Sequence, residues 1–397
     1  MELLAPAGNF EKFEMALHYG ADAIYFAGQS FGLRAFAGNF SNEEILKASK
    51  MAHEKNRKVY VTINIIARDK DFVGLKEYLD FLVQAKVDGV IVADLGVISY
   101  IRKNAPTLNV HVSTQANVIN SYTANLLANM GVTRIVLARE LSLEEIKEIR
   151  KNIPEHIELE AFVHGAMCIS YSGRCLLSNY LTGRDSNRGE CVQACRWKYF
   201  IREVSREDEL EIQEDEKGSY ILNSKDLNML SHIKELQEAG VVSLKIEGRM
   251  KSSYYVATVV NAYRKAIDML PEVAGKDLIE ELEKTSHRRY TTGFYFNDEE
   301  KNYKEDSMPI QTHEFVAIVT GDTENGYCEV EMRNKFVINE KLEILSKNDE
   351  VFNKIIEICD IIDSEGNKID KAIKVQERVK IKTSLPLSVG DILRRKQ

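Results

Sequence analysis

The sequence has no long hydrophobic run and no excess of positive charge, and both absences narrow what it can do. No window approaches the roughly 20 consecutive apolar residues that span a bilayer. The opening Met1-Glu2-Leu3-Leu4-Ala5-Pro6 has neither a basic n-region nor an apolar h-region. The expectation is a cytoplasmic protein with no membrane partner. In that reducing compartment the six cysteines are not expected to form three disulfides. Fifty-three Lys and Arg against 61 Asp and Glu give a net charge of −8. That excludes a general nucleic-acid coat but leaves room for a local basic patch that grips one RNA. Three signatures are also missing: a Gly-x-Gly-x-x-Gly after the first apolar run, a Gly-x-Ser-x-Gly elbow and a His-Glu-x-x-His helix.

What is present is a repeat. Through the first 270 or so residues an amphipathic helix, a glycine turn, a short apolar run and a polar residue recur. The clearest echoes are Gly20-Ala21-Asp22-Ala23-Ile24-Tyr25-Phe26, Val87-Asp88-Gly89-Val90-Ile91-Val92, Gly131-Val132-Thr133-Arg134-Ile135-Val136-Leu137 and Gly240-Val241-Val242-Ser243-Leu244-Lys245-Ile246. The pattern predicts strands near 2–5, 23–27, 58–64, 89–93, 109–113, 134–138, 157–163 and 242–246. It predicts helices near 9–19, 43–55, 72–85, 95–103, 119–129, 142–151, 225–239 and 252–269. Short apolar strands alternating with helices imply a parallel sheet, and eight such units over 1–300 imply an α/β fold of the closed (β/α)8, TIM-like kind. An open doubly wound sheet is the alternative, and no dinucleotide fingerprint supports it. A stretch of about 60 residues, 164–224, breaks the rhythm after strand seven and holds four of the six cysteines; insertions on that side of a barrel tend to be functional. Its second half, Lys198–Asn223, alternates like an acidic hairpin. The polar segment Asn297–Asp306 reads as a linker to a small all-β domain at 308–397, with turns at Glu324-Asn325-Gly326 and Ser364-Glu365-Gly366.

The four loop cysteines, Cys168, Cys175, Cys191 and Cys195, are spaced Cys-x6-Cys-x15-Cys-x3-Cys. Four thiols so close in a cytosolic chain imply a metal site or a redox pair. Structural zinc prefers two tight Cys-x2–4-Cys knuckles, and only the second pair has that spacing. Wide spacing among loop glycines suits an iron–sulfur cubane, and zinc or redox-active thiols stay open as alternatives. Cys328 and Cys359 lie in apolar strand-like runs and are expected to be buried and inert.

The run from Glu160 through His164-Gly165-Ala166-Met167-Cys168 to Gly173-Arg174-Cys175 and Leu177-Ser178 is similar to the signature of peptidase family U32. So are Asn187-Arg188-Gly189-Glu190-Cys191 with Cys195-Arg196, Leu244-Lys245-Ile246-Glu247-Gly248-Arg249-Met250-Lys251, and His287-Arg288-Arg289-Tyr290-Thr291-Thr292-Gly293-Phe294. The resemblance spans the chain and fits the tRNA-hydroxylating branch of the family best. It implies a [4Fe–4S] cluster on the four cysteines and prephenate as the hydroxyl donor. The implied reaction is oxygen-independent hydroxylation of a tRNA wobble uridine to 5-hydroxyuridine. Hydroxylation of ribosomal RNA or of a quinone precursor is a second possibility within the family. The family name keeps a collagenase-like protease as the rival class, and a scaffold with a structural cluster is a third reading.

In a barrel, residues just past the strand ends share one face. Those positions hold Asn64, Asp94, Ser113-Thr114-Gln115, Asn117, Arg139-Glu140, His164, Glu247 and Arg249; about half are expected to be helix caps or ion pairs. Glu160 lies inside strand seven, where a carboxylate is either paired or catalytic. His164, Glu160, Glu247 and Arg249 are the catalytic candidates, and Gln115, Asn117 and Glu140 are substrate-binding candidates. Since prephenate is a dicarboxylate, the resemblance adds guanidinium forks at Arg174, Arg188, Arg196 and Arg249. Arg288 and Arg289, interleaved with aromatics, are candidates for stacking on the splayed bases of a tRNA loop.

Overall fold

The structure is a computed structural model describing residues 1–29, 39–168, 170–171, 175–184, 186, 191–196, 214–215, 218–219, 225–296 and 310–397. Eight parallel strands form the barrel: β1 (Glu2–Pro6), β2 (Ala23–Phe26), β3 (Lys58–Ile63), β4 (Gly89–Val92), β5 (Asn109–Val112), β6 (Arg134–Val136), β7 (Glu158–Ala166) and β8 (Val241–Ile246). Each pairs with the next, β8 pairs with β1, and β7 pairs with β8, so the sheet is closed. The open-sheet alternative is thereby removed. Helices α1 (Phe10–His18), α2 (Asn42–Glu54), α3 (Leu75–Gln84), α4 (Leu95–Asn104), α5 (Ser121–Asn129) and α6 (Leu143–Lys151) follow the first six strands. Asn9, Ser41, Asp94, Asn120 and Ser142 cap α1, α2, α4, α5 and α6 with side-chain oxygens, two of them in full capping boxes.

Period-two alternation sorts each strand into two faces. Leu3, Ile24, Val59, Val61, Val90, Val110, Ile135, Leu159 and Leu244 face the helices and join the main core. The opposite face fills the lumen, where Leu4, Ala23, Tyr25, Tyr60 and Ile91 form a small separate cluster.

Two sequence expectations near the insertion need correction. β7 continues through Ala166, three residues beyond the predicted end at 163. The predicted helix at 225–239 begins only with α8 (Ile233–Glu238), after the short α7 (Leu177–Thr182) inside the insertion. Asp226–Asn228 is instead a strand, antiparallel to Gly165 and its neighbours in β7 and parallel to Tyr290–Thr291. The tail of β7 therefore leaves the barrel and starts a side sheet. Most of the predicted hairpin Lys198–Asn223 and the linker Asn297–Asp306 lie outside the described residues; Glu214–Asp215 does pair antiparallel with Gly218–Ser219.

After α9 (Ser253–Asp268) and α10 (Lys276–Leu282) the chain enters a seven-stranded antiparallel sheet with its own core. Its first hairpin, His313–Glu324 with Tyr327–Met332, turns at Asn325 and Gly326, both at positive φ (50° and 79°) as a tight hairpin turn requires. Arg394, fully buried, forks onto Glu281 of α10 at 2.5 and 2.8 Å. The Tyr19 hydroxyl at the end of α1 donates to the carbonyls of Leu345 and Gly390. These contacts bolt the sheet to the barrel helices.

Candidate functional site

The lumen toward the N-terminal ends of the strands is charged and closed by mutual pairing. Glu160 is fully buried and accepts from Lys245 Nζ at 2.6 Å and Arg134 Nη1 at 3.1 Å. Arg134 also donates to Glu2 at 2.5 Å and to Glu158 at 2.7 Å. Ser243 Oγ donates to Glu2 at 2.9 Å, as does the Tyr60 hydroxyl. Burial alone would raise the Glu160 carboxyl, but the Lys245 and Arg134 cations hold it below the ordinary range. His111 packs edge-on to Tyr60, and burial keeps it neutral. Of the two sequence readings for Glu160, the structure supplies the ion pair. The carboxylate lies two residues before Phe162 on β7, roughly 7 Å back along the strand.

His164 needs the opposite correction, because it does not face the mouth. Phe162 pairs with Lys245 and His164 with Ile246, so Val163 is an extra residue in β7. A bulge of this kind re-aims the next side chain. His164 turns into a cage of Tyr255 and Tyr263 from α9 and Tyr290, with ring centroids 6.0, 5.5 and 5.4 Å away. It is almost completely buried, and among the described residues neither ring nitrogen has a hydrogen-bond partner. Burial pushes its pKa down to about 3, with His287 and Lys251 adding repulsion. Tyrosine hydroxyls satisfy the carbonyls that the bulge displaces: Tyr295 donates to Phe162 and Tyr263 to Val163, both at 2.7 Å. Gly165 follows at φ +105°, and a Cβ there would come within 2.5 Å of the Glu247 carbonyl oxygen. His164 thus shapes the root of the cysteine loop and is not placed to exchange protons at the mouth.

At the mouth, Phe162 closes the lumen with Lys245 on one side, 5.7 Å from its ring, and Arg139 on the other at 5.1 Å. Arg139 donates to the Ala166 carbonyl at 2.8 Å and to Cys168 Sγ at 3.2 Å. Arg249 is buried and donates to Thr62 Oγ1 at 2.9 Å. Glu247 is half-buried; its backbone N–H donates to the His164 carbonyl, and its charge acts on Arg139 together with that of Glu140. Ser113 caps the short turn Thr114–Ala116, and Gln115 Oε1 within it and Asn117 Oδ1 after it are buried acceptors without a hydrogen-bond partner among the described residues. Asp94 is committed as the α4 cap. Arg174 and Arg188 lie outside the described residues, and for Arg196 only the backbone turn Ala194–Arg196 is described. Arg289 is exposed and Arg288 half-buried, its N–H on Asp226.

All six cysteines are free thiols. The insertion that carries four of them is rooted at the mouth at both ends, since Asp226 pairs with Ala166. Cys168 accepts from Arg139 and Cys191 from the Gln193 N–H at 3.3 Å. Among the described residues no three His, Cys, Asp or Glu side chains stand close enough to hold a metal ion. The chemistry of the donor set, four soft thiols with N–H donors on two of them, suits an iron–sulfur cluster. Cys328 is buried, and burial pushes its thiol up to about 12. Cys359 is exposed, against expectation, because it follows the short edge strand Ile355–Glu357 rather than lying within a paired run.

Sequence reasoning named Arg139 only as a strand-end residue. Nothing in its spacing from Cys168, 29 positions away, signals that the two meet.

The fold and the site together define a (β/α)8-barrel protein with a cysteine insertion after its seventh strand. The chain belongs to peptidase family U32: residues 8–305 match the family, and residues 311–394 match the peptidase family U32 C-terminal domain. It is 41% identical to tRNA hydroxylation protein P1 of Bacillus subtilis over 99% of this chain and 94% of that protein. It is 37% identical to tRNA hydroxylation protein P of Escherichia coli, covering 87% of this chain and 86% of the other. The 23S rRNA 5-hydroxycytidine C2501 synthase of Escherichia coli is 33% identical over 96% of this chain and 56% of its own length.

Proposed function

We propose that this chain is an RNA hydroxylase of the cytosol acting on tRNA, with a wobble uridine as target and 5-hydroxyuridine as product. The observation that carries the reading is the end-to-end likeness to tRNA hydroxylation proteins. In this reading Cys168, Cys175, Cys191 and Cys195 hold a [4Fe–4S] cluster, which when bound supplies one-electron chemistry beside the substrate. The chain's own groups do the rest. Arg249 is a buried cation at the mouth, suited to a dicarboxylate hydroxyl donor such as prephenate. Gln115 and Asn117 offer acceptor oxygens to donors on the base or co-substrate. Phe162 separates the mouth from the lumen network below. Glu247, whose charge acts on Arg139, is a carboxylate at the mouth suited to accept a proton. A wobble base is already unpaired in its loop, so presenting it requires little extrusion.

Mass spectrometry of tRNA nucleosides tests the reading. Deleting the gene, together with any related paralogue, should remove 5-hydroxyuridine-derived nucleosides, and the wild-type gene should restore them. Arg249→Lys should restore them poorly, because lysine keeps the charge and loses the fork. Unchanged tRNA would redirect attention to ribosomal RNA or a quinone precursor. Cluster-loaded protein should not hydrolyse gelatin or casein; proteolysis that survives iron removal and disappears on mutating one serine would favour the peptidase reading instead.

A further inference from the structure

Arg139 makes three contacts that together fix its guanidinium. One arm donates to the Ala166 carbonyl at 2.8 Å, the other to Cys168 Sγ at 3.2 Å, and the guanidinium carbon lies 5.1 Å from the centre of the Phe162 ring. The residue is only 9% exposed, so these bonds form out of bulk water, where a charge-assisted hydrogen bond is stronger. The Ala166 carbonyl it grips is the last in β7, immediately beyond the bulge and the left-handed Gly165. The barrel wall, rather than the loop, therefore decides where this charge sits. Cys191, by contrast, takes a backbone N–H from Gln193, two residues along the same loop.

We infer that Arg139 is a positioning residue for the sulfur centre proposed above, raising the reduction potential of the centre through its N–H···S bond to Cys168. The inference rests on the cluster reading. Its physical basis is that hydrogen bonds and positive charge at a ligand sulfur stabilise the more negative, reduced state of an iron–sulfur centre. A lysine at 139 keeps the charge but cannot reach two acceptors in one plane; a glutamine keeps a donor and loses the charge. The two substitutions therefore separate fork geometry from charge.

The test uses the full chain, purified and reconstituted without oxygen, as wild type, Arg139→Lys and Arg139→Gln. Iron and sulfide per chain are measured first, then the midpoint potential by an electrochemical titration followed by electron paramagnetic resonance. The expected result is iron content near wild type in both variants and a midpoint shifted to more negative potential, further for Gln than for Lys. An unshifted midpoint in fully loaded variants would overturn the role of Arg139 and leave the cluster standing. Loss of iron from both variants with unchanged circular dichroism would also overturn it, since Arg139 would then be needed for assembly rather than for tuning. Wild-type protein that takes up no iron would overturn the cluster first and this inference with it.

Discussion

The N-terminal half of the barrel lumen and its C-terminal mouth are lined by similar residue types, and they differ in how those residues are paired. Below Phe162, Glu160 meets two cations, Glu2 meets Arg134, Ser243 and Tyr60, and Arg134 serves three carboxylates. The charges of that network answer one another, and His111 Nδ1 is its one buried atom without a partner among the described residues. Above Phe162, Gln115 and Asn117 keep unmatched acceptors, and a guanidinium rests on a thiol. Buried polar groups are ordinarily satisfied, and the exceptions call for a function. A charged residue in a barrel strand is thus uninformative until its partners are known.

The largest expected effect breaks the mouth and spares the rest. Cys191→Ser should lose most of the iron, about four per chain for a cubane, while Cys328→Ser and Cys359→Ser should match wild type in a colorimetric iron assay. Equal loss from Cys359→Ser would spoil the division between the insertion and the small domain.

Next comes the lumen. Glu160→Ala strands Lys245 and weakens the hold on Arg134, so it should lower the unfolding free energy by about 3 kcal/mol or more in urea. Glu160→Met combined with Lys245→Met should recover much of that, because removing both charges avoids leaving one buried alone. A Glu160→Ala protein as stable as wild type would show that the network is slack and reopen a catalytic role for this carboxylate. Since the folded pKa of Glu160 is depressed below its ordinary 4.5, its contribution is present above that pH and lost as pH falls through the folded value. Glu160→Gln should remove that part of the acid dependence.

The cage of His164 predicts a smaller and more specific pH effect. Below the ordinary value of 6.5 the unfolded chain takes up a proton that the folded cage refuses until about 3. Stability should therefore fall as pH drops from 6.5 toward 3, by up to about 1.4 kcal/mol per pH unit from this group. His164→Phe should reduce that slope in urea titrations at several pH values, with His18, His111, His287 and His313, whose pKa values burial also lowers, contributing to what remains. An unchanged slope would place His164 in contact with solvent and return it to the mouth. The smallest expected change is at the surface: Arg288→Ala with Arg289→Ala should keep iron and stability while tRNA binding shows a shallower dependence on salt.

Much of this architecture is determined by local sequence. The period of apolar residues and the capping side chains at Asn9, Ser41, Asp94, Asn120 and Ser142 specify strands and helices from neighbours a few residues apart. The repeated unit then implies closure, and the switch to short alternating strands after residue 310 marks the second domain. The clustering of four of the six cysteines in one stretch likewise identifies the insertion as the place to look. Strand seven shows where that legibility ends. One extra residue, Val163, turns His164 away from the mouth, and nothing in the local pattern of alternation announces a bulge. The meeting of Arg139 with Cys168, of Arg134 with Glu2 across 132 positions, and of Arg394 with Glu281 are contacts between segments far apart in the chain. Periodicity is a property of neighbours in sequence, whereas the pairing of a buried charge belongs to neighbours in space, and only the closed barrel brings those together.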